Sequence, residues 1–315
     1  MYVKIDRLEF VVTWKCNSAC KHCLVGDKRT SKAALSPELA ARIVRQVAGV
    51  YPLKSMMIFG GEPLLFPDVV CAVHGAAKDC GVPRRDIITN AGYPRSDVEF
   101  RKLARRLSES GVTNASVSVD AFHQEHIPVE TIERNVQALL DAGIAVDWDP
   151  CWVISADHQN PWNKRTWEIL EALAHLAVPA VTESDGNVVQ PAGNALRWLR
   201  EYLPPRTPAP DGACEDVPYA GRPDKVTSIS VEPDASVSVC KDLTIGDAHE
   251  QNVVDILRDY DPYRIPEMAA ILRGGVAGLR EFAGSSGITP DPVGYYSICD
   301  ECVDLRRKLA VTAPR

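Results

Sequence analysis

The chain has 315 residues, of which 45% are hydrophobic and 24% charged, and its formal net charge is −7. These values are ordinary for a globular protein and exclude a disordered chain, while the acidic balance argues against a nucleic-acid-binding surface. Ten cysteines are too dispersed for a small disulfide scaffold and indicate metal chemistry in a reducing compartment. The N-terminal stretch carries Asp6, Arg7 and Glu9 and no apolar run reaches membrane-spanning length, so we expect a cytoplasmic protein.

Short apolar strands alternate with helical patterns along the first 200 residues or so, which predicts a parallel α/β sheet. Strands are expected at about 8–13, 55–59, 86–89, 115–119 and 144–153, with a sixth somewhere in 177–191. Helices are expected after Ser36-Pro37, over about 67–80, after a capping box of Ser96 and Glu99, after Pro128, and after Pro161 to about 176. Six such units form a partial (β/α)6 TIM-like barrel, whose chemistry belongs at the C-terminal ends of the strands.

The segment LPPRTPAPDG, 203–212, holds four prolines and is typical of a linker. Beyond it, Ser228–Glu232 and Ser236–Cys240 alternate around Pro233-Asp234, which predicts a β-hairpin. We therefore expect a barrel domain over 1–202, the linker, and a smaller domain over 213–315.

Three cysteines, Cys16, Cys20 and Cys23, lie close together in the run TWKCNSACKHC, directly after the first predicted strand. Three thiolates on one loop can hold three corners of a four-iron cluster and leave the fourth iron without a protein ligand. The alternative is a zinc site, but zinc usually takes four ligands from two paired knuckles, and this triplet has no partner knuckle nearby. The spacing therefore favours an iron–sulfur cluster with one open iron.

A second set of cysteines lies in the C-terminal region: Cys214, Cys240, Cys299 and Cys302. Four thiolates suit either zinc or an iron–sulfur cluster, and spacing alone does not separate the two.

The triplet in its C-x3-C-x2-C form resembles the signature of radical S-adenosylmethionine (SAM) enzymes. Four further segments resemble elements of that superfamily in the order of the predicted strands: GGEP at 60–63, TNAG at 89–92, SVSVD at 116–120 and QPAGNA at 190–195. The C-terminal cysteines are similar to those of the Twitch domain, a shortened SPASM domain. The resemblance covers residues 8–200 and extends through these cysteines into the C-terminal half.

The resemblance implies two [4Fe–4S] clusters, one on the triplet and an auxiliary one on the four C-terminal cysteines. It also implies S-adenosylmethionine, held near the first cluster by residues of the matching segments: His22, Gly60, Gly61, Glu62, Pro63, Asn90, Ser118, Asp120 and His123. Glycines let the backbone approach a ligand closely, while Glu62 positions the loop or touches the cofactor. If Cys214 is not a ligand, the auxiliary cluster has an open iron that binds substrate.

Alternation along two strands predicts a polar barrel lumen. Ser116, Ser118 and Asp120 share one face of strand four, and Asp147, Asp149 and Cys151 share one face of strand five. If the strand-five face points inward, Asp149 or Cys151 is a candidate catalytic residue that contacts substrate or moves a proton. If its tryptophans point inward instead, this interpretation fails, because a single strand does not fix its own register. The loop histidines, His123 and His126, are either near the site or solvated.

The resemblance predicts an oxidoreductase or maturase that cleaves S-adenosylmethionine reductively to a 5′-deoxyadenosyl radical, which takes a hydrogen atom from substrate. The auxiliary cluster would accept or relay an electron in a two-electron oxidation or a bond-forming step. The substrate is a small molecule or a peptide, crosslinked or epimerised in the latter case, and the reductant is a flavodoxin or ferredoxin. The chain ends VTAPR, without the Gly-Gly tail of the nucleotide cyclase of molybdenum-cofactor synthesis, so that activity is not expected. The competing class is a non-catalytic iron–sulfur or zinc electron-transfer protein.

Overall fold

The computed structural model describes residues 2–94, 96–180, 187–217, 220–240 and 243–312. The strands in these ranges are β1 (Val3–Val11), β2 (Ser55–Phe59), β3 (Arg84–Thr89), β4 (Asn114–Val117), β5 (Ala145–Trp148), β6 (Val226–Val231), β7 (Ser236–Cys240) and β8 (Leu243–Asp247). The α-helices are α1 (Pro37–Ala48), α2 (Pro67–Asp79), α3 (Asp97–Ser110), α4 (Val129–Asp141), α5 (Pro161–Ala172), α6 (Ala195–Trp198), α7 (Val253–Asp259), α8 (Pro266–Ser285) and α9 (Ile298–Thr312).

Within the described residues the strands form one sheet of order β5-β4-β3-β2-β1-β6-β7-β8. All pairs from β5 to β6 are parallel, and the β6-β7-β8 meander is antiparallel. The mostly parallel α/β sheet confirms the predicted fold class. The described residues contain no helix that is both long and apolar enough to span a membrane.

The core lies between the sheet and its helices. On β1 and β2, Leu8, Phe10, Met56 and Ile58 are fully buried on the helix side, and α1 packs against α2. The opposite face carries Arg7, Glu9 and Met57, and the register aligns Asp86, Asn114 and Asp147 with this face. Strand alternation thus separates an apolar helix layer from a polar concave face.

Several predicted boundaries differ from the structure. Strand β1 begins at Val3 because its N-terminal residues pair with β6, and β5 ends at Trp148 instead of 153. Ser96 is the N-cap residue of α3, but its side chain accepts no capping bond, so the predicted capping box is absent from this described helix end. Of the predicted sixth strand, 181–186 lie outside the described residues, and Ala180 and Val188 form isolated parallel bridges to Trp148 and Trp152.

The predicted C-terminal hairpin is present as β6 and β7, and it continues the barrel sheet through β6 beside β1. Helices α8 and α9 then pack on a second apolar cluster that includes Met268, Leu279 and Leu305. The Arg280 guanidinium bonds both carboxylate oxygens of the fully buried Glu301, at 2.7 and 2.9 Å, and the Pro210 carbonyl at 2.7 Å. This ion pair fixes α9 to α8 and to the end of the predicted linker. The boundaries of the domains remain a prediction.

Candidate active site

The loop that follows β1 carries Cys16, Cys20 and Cys23 to the C-terminal edge of the parallel sheet. Cys20 is buried, with 5% of its surface exposed, and the other two thiols are half-buried. The Ser18 amide donates to Cys16 Sγ at 3.4 Å, and the Cys23 amide donates to the Cys20 carbonyl at 3.2 Å. The three thiols therefore sit on a hydrogen-bonded loop at the strand ends.

Gly60 and Gly61 hold this cysteine loop from the β2 side. The Gly61 amide donates to the Thr13 carbonyl and the Glu62 amide to the Lys15 carbonyl, both at 2.8 Å. A Cβ on Gly61 would lie 2.1 Å from the Lys15 oxygen, and Gly60 has a φ of 138°, which disfavours any side chain. In this structure the two glycines thus allow the backbone after β2 to come close to the cysteine loop.

A second segment, QPAGNA, holds the cysteine loop from the side opposite to Gly60 and Gly61. Within QPAGNA, the Asn194 amide donates to the Cys23 carbonyl and its Nδ2 to the Cys20 carbonyl, both at 2.9 Å. A Cβ on Gly193, whose φ is 54°, would lie 2.3 Å from the Cys23 oxygen. The sequence patterns predict no role for Gly193 or Asn194. The glycine–asparagine pair is the one local feature that indicates a close backbone approach here.

Glu62 is completely buried, and both of its carboxylate oxygens accept hydrogen bonds. Its Oε1 accepts from the Leu64 amide at 2.9 Å and the Thr89 hydroxyl at 2.7 Å, and its Oε2 accepts from the Asn90 amide at 2.8 Å. Burial raises the pKa of Glu62, and these three bonds oppose that rise. Glu62 therefore joins the end of β2 to the end of β3, in agreement with a loop-positioning role. Pro63, which follows it, is buried.

Replacing Glu62 with glutamine is expected to destabilise the protein by about 1–3 kcal/mol, because the amide nitrogen cannot accept the bonds that a carboxylate oxygen accepts. Urea unfolding of the wild type and E62Q measures this loss. Glu125→Gln is the matched control, since that carboxylate is partly exposed and pairs with Lys21. A surface pair of this kind contributes less than about 1 kcal/mol. Equal losses in the two variants would contradict the assigned role.

Asn90 links the end of β3 to the first cysteine. Its Nδ2 donates to Asn17 Oδ1 at 2.8 Å and lies 3.7 Å from Cys16 Sγ, while its Oδ1 accepts from the Gly92 amide at 2.9 Å. The side chain is therefore engaged with the cysteine loop, next to where the resemblance expects the cofactor.

Asp120 follows β4 and is completely buried. Its Oδ1 accepts from the amides of Phe122 and His123, both at 2.9 Å. Its Oδ2 accepts from the Cys151 amide at 3.1 Å and lies 2.9 Å from His123 Nδ1. Both oxygens are thus used by protein donors, so this carboxylate is built into the site wall and a direct cofactor contact for it stays a prediction.

Two histidines and an aromatic ring surround the buried cysteine. The His22 ring centroid lies 4.8 Å from that of Phe122 and 4.9 Å from that of His123. Burial lowers the pKa of His22 to about 4, so this ring is neutral at neutral pH. His22, Asp120 and His123 offer ligand atoms within 4.8 Å of one another. His126, on the same turn, is exposed.

The polar face of strand five lies on the lumen side. Val146 and Trp148 pack in the helix-side core, so Asp147 and Asp149 face the opposite way, level with Ser116 and Ser118 of the neighbouring strand. Burial raises the pKa of Asp149 to about 6, with Asp147 and Asp120 adding to the effect. Burial also raises the pKa of Cys151 well above its usual value, with a contribution from Cys20. The Cys151 amide donates to Asp120 Oδ2 at 3.1 Å, so the end of the predicted fifth strand meets the turn after β4. A site shared with the cysteine triplet stays a prediction.

The four C-terminal cysteines lie on three elements: Cys214 on a 3-10 turn, Cys240 at the end of β7, and Cys299 and Cys302 at the start of α9. Burial raises the pKa of Cys214 to about 11 and that of Cys240 to about 12. Cys214, Cys240 and Cys302 all pack against the second apolar cluster, which includes Leu279 and Leu305. Three of the four cysteines thus share one cluster, although Cys214 and Cys302 are 88 positions apart in the sequence.

The triplet fits a cluster. Burial raises the pKa of the Cys16 thiol to about 12, so a thiolate here requires a bound cation to compensate its charge. In the described part of the chain, the Ser18 hydroxyl and His22 Nδ1 are buried without a hydrogen-bond partner, and both belong to the same loop. One buried and two half-buried thiols beside unsatisfied polar atoms are typical of a site that closes around a ligand.

Residues 10–155 match the Radical SAM superfamily. This region holds the cysteine loop, the GGEP segment and the strand ends described above, and it is a radical SAM domain. The match confirms the prediction of a radical SAM enzyme at the level of the superfamily.

Among curated proteins, a GTP 3′,8-cyclase of Listeria monocytogenes is 29% identical over 140 residues, which are 43% of this chain and 40% of that protein. A GTP 3′,8-cyclase of Lactiplantibacillus plantarum is 30% identical over 153 residues, 46% of this chain and 44% of that protein. The chain thus spans less than half the length of these curated relatives.

Among solved structures, anSMEcpe with bound AdoMet has a TM-score of 0.52 and 12% identity, and the alignment covers 98% of both chains. This similarity supports the fold.

Proposed function

We propose that this protein is a radical SAM enzyme that oxidises, or forms a bond within, a small molecule or peptide. Cys16, Cys20 and Cys23 would hold a [4Fe–4S] cluster beside S-adenosylmethionine. When bound, this pair supplies a 5′-deoxyadenosyl radical, formed with one electron from a flavodoxin- or ferredoxin-type donor. The proposal is supported by the Radical SAM match over residues 10–155 and by the contact of Asn90, at the end of β3, with the cysteine loop, where its Nδ2 lies 3.7 Å from Cys16 Sγ.

The residues around the triplet then have separate tasks. The loop carbonyls of Thr13, Lys15, Cys20 and Cys23 are held by GGEP on one side and by Asn194 on the other, which fixes the three thiols. In this proposal, Asn90 and Ser118 would bind the cofactor beside the triplet. Substrate would bind at the polar lumen face, next to Asp149.

The auxiliary thiols complete the electron balance. Cys214, Cys240, Cys299 and Cys302 would hold a second cluster, which would supply the electron acceptor for a net two-electron oxidation. After removal of a hydrogen atom from substrate, Asp149 would accept the proton. The packing of Cys214, Cys240 and Cys302 against one apolar cluster supports a shared metal site over unrelated cysteines. Zinc on the same thiols could not accept an electron, because Zn²⁺ is not redox-active.

Anaerobic reconstitution with iron and sulfide, followed by dithionite and S-adenosylmethionine, tests the proposal. The expected results are about eight irons per chain, from two four-iron clusters, and formation of 5′-deoxyadenosine. A colourless protein that holds zinc and yields no 5′-deoxyadenosine would contradict the radical SAM assignment. Deuterated candidate substrates then identify the hydrogen donor by transfer of deuterium to 5′-deoxyadenosine.

A second candidate is nucleotide cyclisation, favoured by the names of the curated relatives. Their similarity covers less than half of either chain, so GTP serves here as the first substrate to test. A GTP-dependent increase in 5′-deoxyadenosine, with a cyclised product, would replace oxidation as the proposed reaction.

Replacement of Asp149 by asparagine is expected to lower product formation by about 10²–10⁴-fold while deuterium transfer to 5′-deoxyadenosine persists, because the proton acceptor is lost after hydrogen abstraction. In the wild type, product formation should fall as the pH drops through about 6, where Asp149 becomes protonated. Three charged neighbours act on Asp149: Asp147 and Asp120 raise its pKa and His123 lowers it.

Asp147→Asn is the control for this prediction. It should remain active, with its pH dependence moved to lower pH, because a like charge that raises the pKa of Asp149 is gone. Full product formation by D149N, or an unchanged profile in D147N, would rule out Asp149 as the proton acceptor.

A further inference from the structure

The cysteine triplet lies in a closed loop that carries an excess of positive charge. An antiparallel bridge between Thr13 and Ala34 closes the loop, and the Cys16 amide donates to the Arg29 carbonyl across it, at 3.3 Å. Residues 13–34 contain five basic residues and one acidic residue, whereas the whole chain has a net charge of −7. The exposed cations of the loop are Lys15, Lys28 and Lys32. Positive charge is therefore concentrated beside the triplet on an otherwise acidic protein.

The start of α6 lies against the same loop. The Asn194 amide donates to the Cys23 carbonyl at 2.9 Å. A Cβ on Gly26, at the start of the 3-10 turn that carries Lys28, would lie 3.4 Å from the Gly193 Cα. The backbones of the 3-10 turn and of the segment before α6 thus come close to each other next to the third cysteine.

Large apolar side chains are exposed on both sides of this contact. Leu24 is 56% exposed, Leu196 40% and Trp198 52%. The Arg197 guanidinium lies over the Trp198 ring, 4.8 Å from the ring centroid. In the described part of the chain, neither Arg197 nor Lys28 forms an ion pair with a carboxylate, and both are exposed. We call this region the triplet surface, and its residues are Lys15, Leu24, Lys28, Leu196, Arg197 and Trp198.

Exposed apolar groups surrounded by charge are typical of protein interaction sites. We propose that the triplet surface docks a negatively charged protein that donates one electron to the cluster on the triplet. The inference rests on the proposed function, in which a flavodoxin- or ferredoxin-type protein is the reductant. The donor protein is oxidised by one electron and the cluster is reduced by one electron.

The charge and position of the surface favour this partner. Opposite charges on two proteins speed their encounter, and interfaces for electron transfer are small. The triplet surface includes residues that are neighbours in sequence of Cys16 and Cys23, so a protein docked there is next to the loop that would hold the cluster. A second copy of this chain is disfavoured, because a two-fold interface through this surface would bring like charges together.

The test is the initial rate of anaerobic 5′-deoxyadenosine formation at limiting concentrations of a reduced flavodoxin of negative net charge. In the wild type this rate should fall as salt rises. In the variant Lys15→Glu/Lys28→Glu/Arg197→Glu the rate at low salt should be about tenfold lower or less, because the charges that attract the donor are reversed. Photoreduced 5-deazariboflavin, a small uncharged reductant, should drive both proteins at equal rates.

The matched control, Arg101→Glu/Lys102→Glu/Lys225→Glu, has the same net charge as the first variant. Its substitutions lie at exposed positions of α3 and just before β6, and it should keep the wild-type rate with flavodoxin. If the first variant binds less iron than the wild type, Lys15→Gln/Lys28→Gln/Arg197→Gln is measured in its place, and a smaller loss in the same direction is expected.

Three results would overturn the proposal: a wild-type rate in the iron-loaded variant, an equal loss in the control, or a flavodoxin-driven rate of the wild type that is absent or independent of salt. A wild type that forms no 5′-deoxyadenosine with either reductant would instead contradict the proposed function.

Discussion

Simultaneous replacement of Cys16, Cys20 and Cys23 by alanine is expected to remove about four irons per chain and all formation of 5′-deoxyadenosine. About four irons should remain on the C-terminal cysteines, because a [4Fe–4S] cluster needs its thiolate ligands. Iron analysis and anaerobic assay with dithionite and S-adenosylmethionine measure the two losses. The effect is the largest expected for any change in this chain, since no other described group is placed to hold that cluster.

Cys80→Ala is the control for the triplet, because Cys80 is exposed at the end of α2, far in sequence from both cysteine sets. It should retain all its iron and its activity. Two results would contradict the assignment of the triplet: iron content that is unchanged in the triple variant, or 5′-deoxyadenosine formation that survives in it.

The second large effect is expected from Gly61→Ala. The added methyl group would overlap the carbonyl oxygens of Lys15 and Trp14, at 2.1 and 2.5 Å, and these are backbone atoms that cannot move without moving the cysteine loop. Overpacking typically costs about 1–3 kcal/mol and occasionally more. We expect G61A to lose stability in urea unfolding and to bind less iron on the triplet.

Gly75→Ala tests whether the effect belongs to the site. Gly75 lies inside α2, and a Cβ there would meet no atom within 4 Å. Alanine in a helix interior is favoured over glycine by about 0.5–1 kcal/mol, so G75A should be as stable as the wild type or more stable, with full iron content. A G61A variant that matched G75A in both measurements would show that the two loops do not need their close contact.

Much of the barrel could be predicted because its signals are local. The apolar run SMMIF predicts β2 over 55–59, where the structure places it. Ser36 and Pro37 mark the start of α1, and the Ser36 hydroxyl accepts from the Leu39 amide at 3.2 Å.

The end of β5 was not predictable from its own residues. The sequence from 144 to 153 continues to alternate, yet the strand stops at Trp148. Pro150 has no amide hydrogen, and the Cys151 amide bonds the Asp120 carboxylate instead of a neighbouring strand. A side chain from a distant turn thus takes the place of the sheet partner, which no local pattern reveals.

The role of Asp120 illustrates the same limit within the site. Alternation along SVSVD correctly indicates which residues share a face, but the partners of a carboxylate depend on three-dimensional packing. Its bond from the Cys151 amide connects the turn after β4 with the end of the predicted fifth strand, while His123 on its own turn lies 2.9 Å from the same oxygen. Local sequence patterns therefore predict which residues lie in the site, but they do not predict which groups each of those residues binds.

The pairing of β1 with β6 has a consequence for electron movement. Strand β1 leads into the cysteine triplet, and β6 and β7 lead to Cys240, so the triplet loop and Cys240 are attached to one hydrogen-bonded sheet. A hinge between β1 and β6 would have to break their backbone pairs. The sheet therefore holds the triplet loop and Cys240 in one frame, and the distance between them should stay constant whether or not substrate is bound.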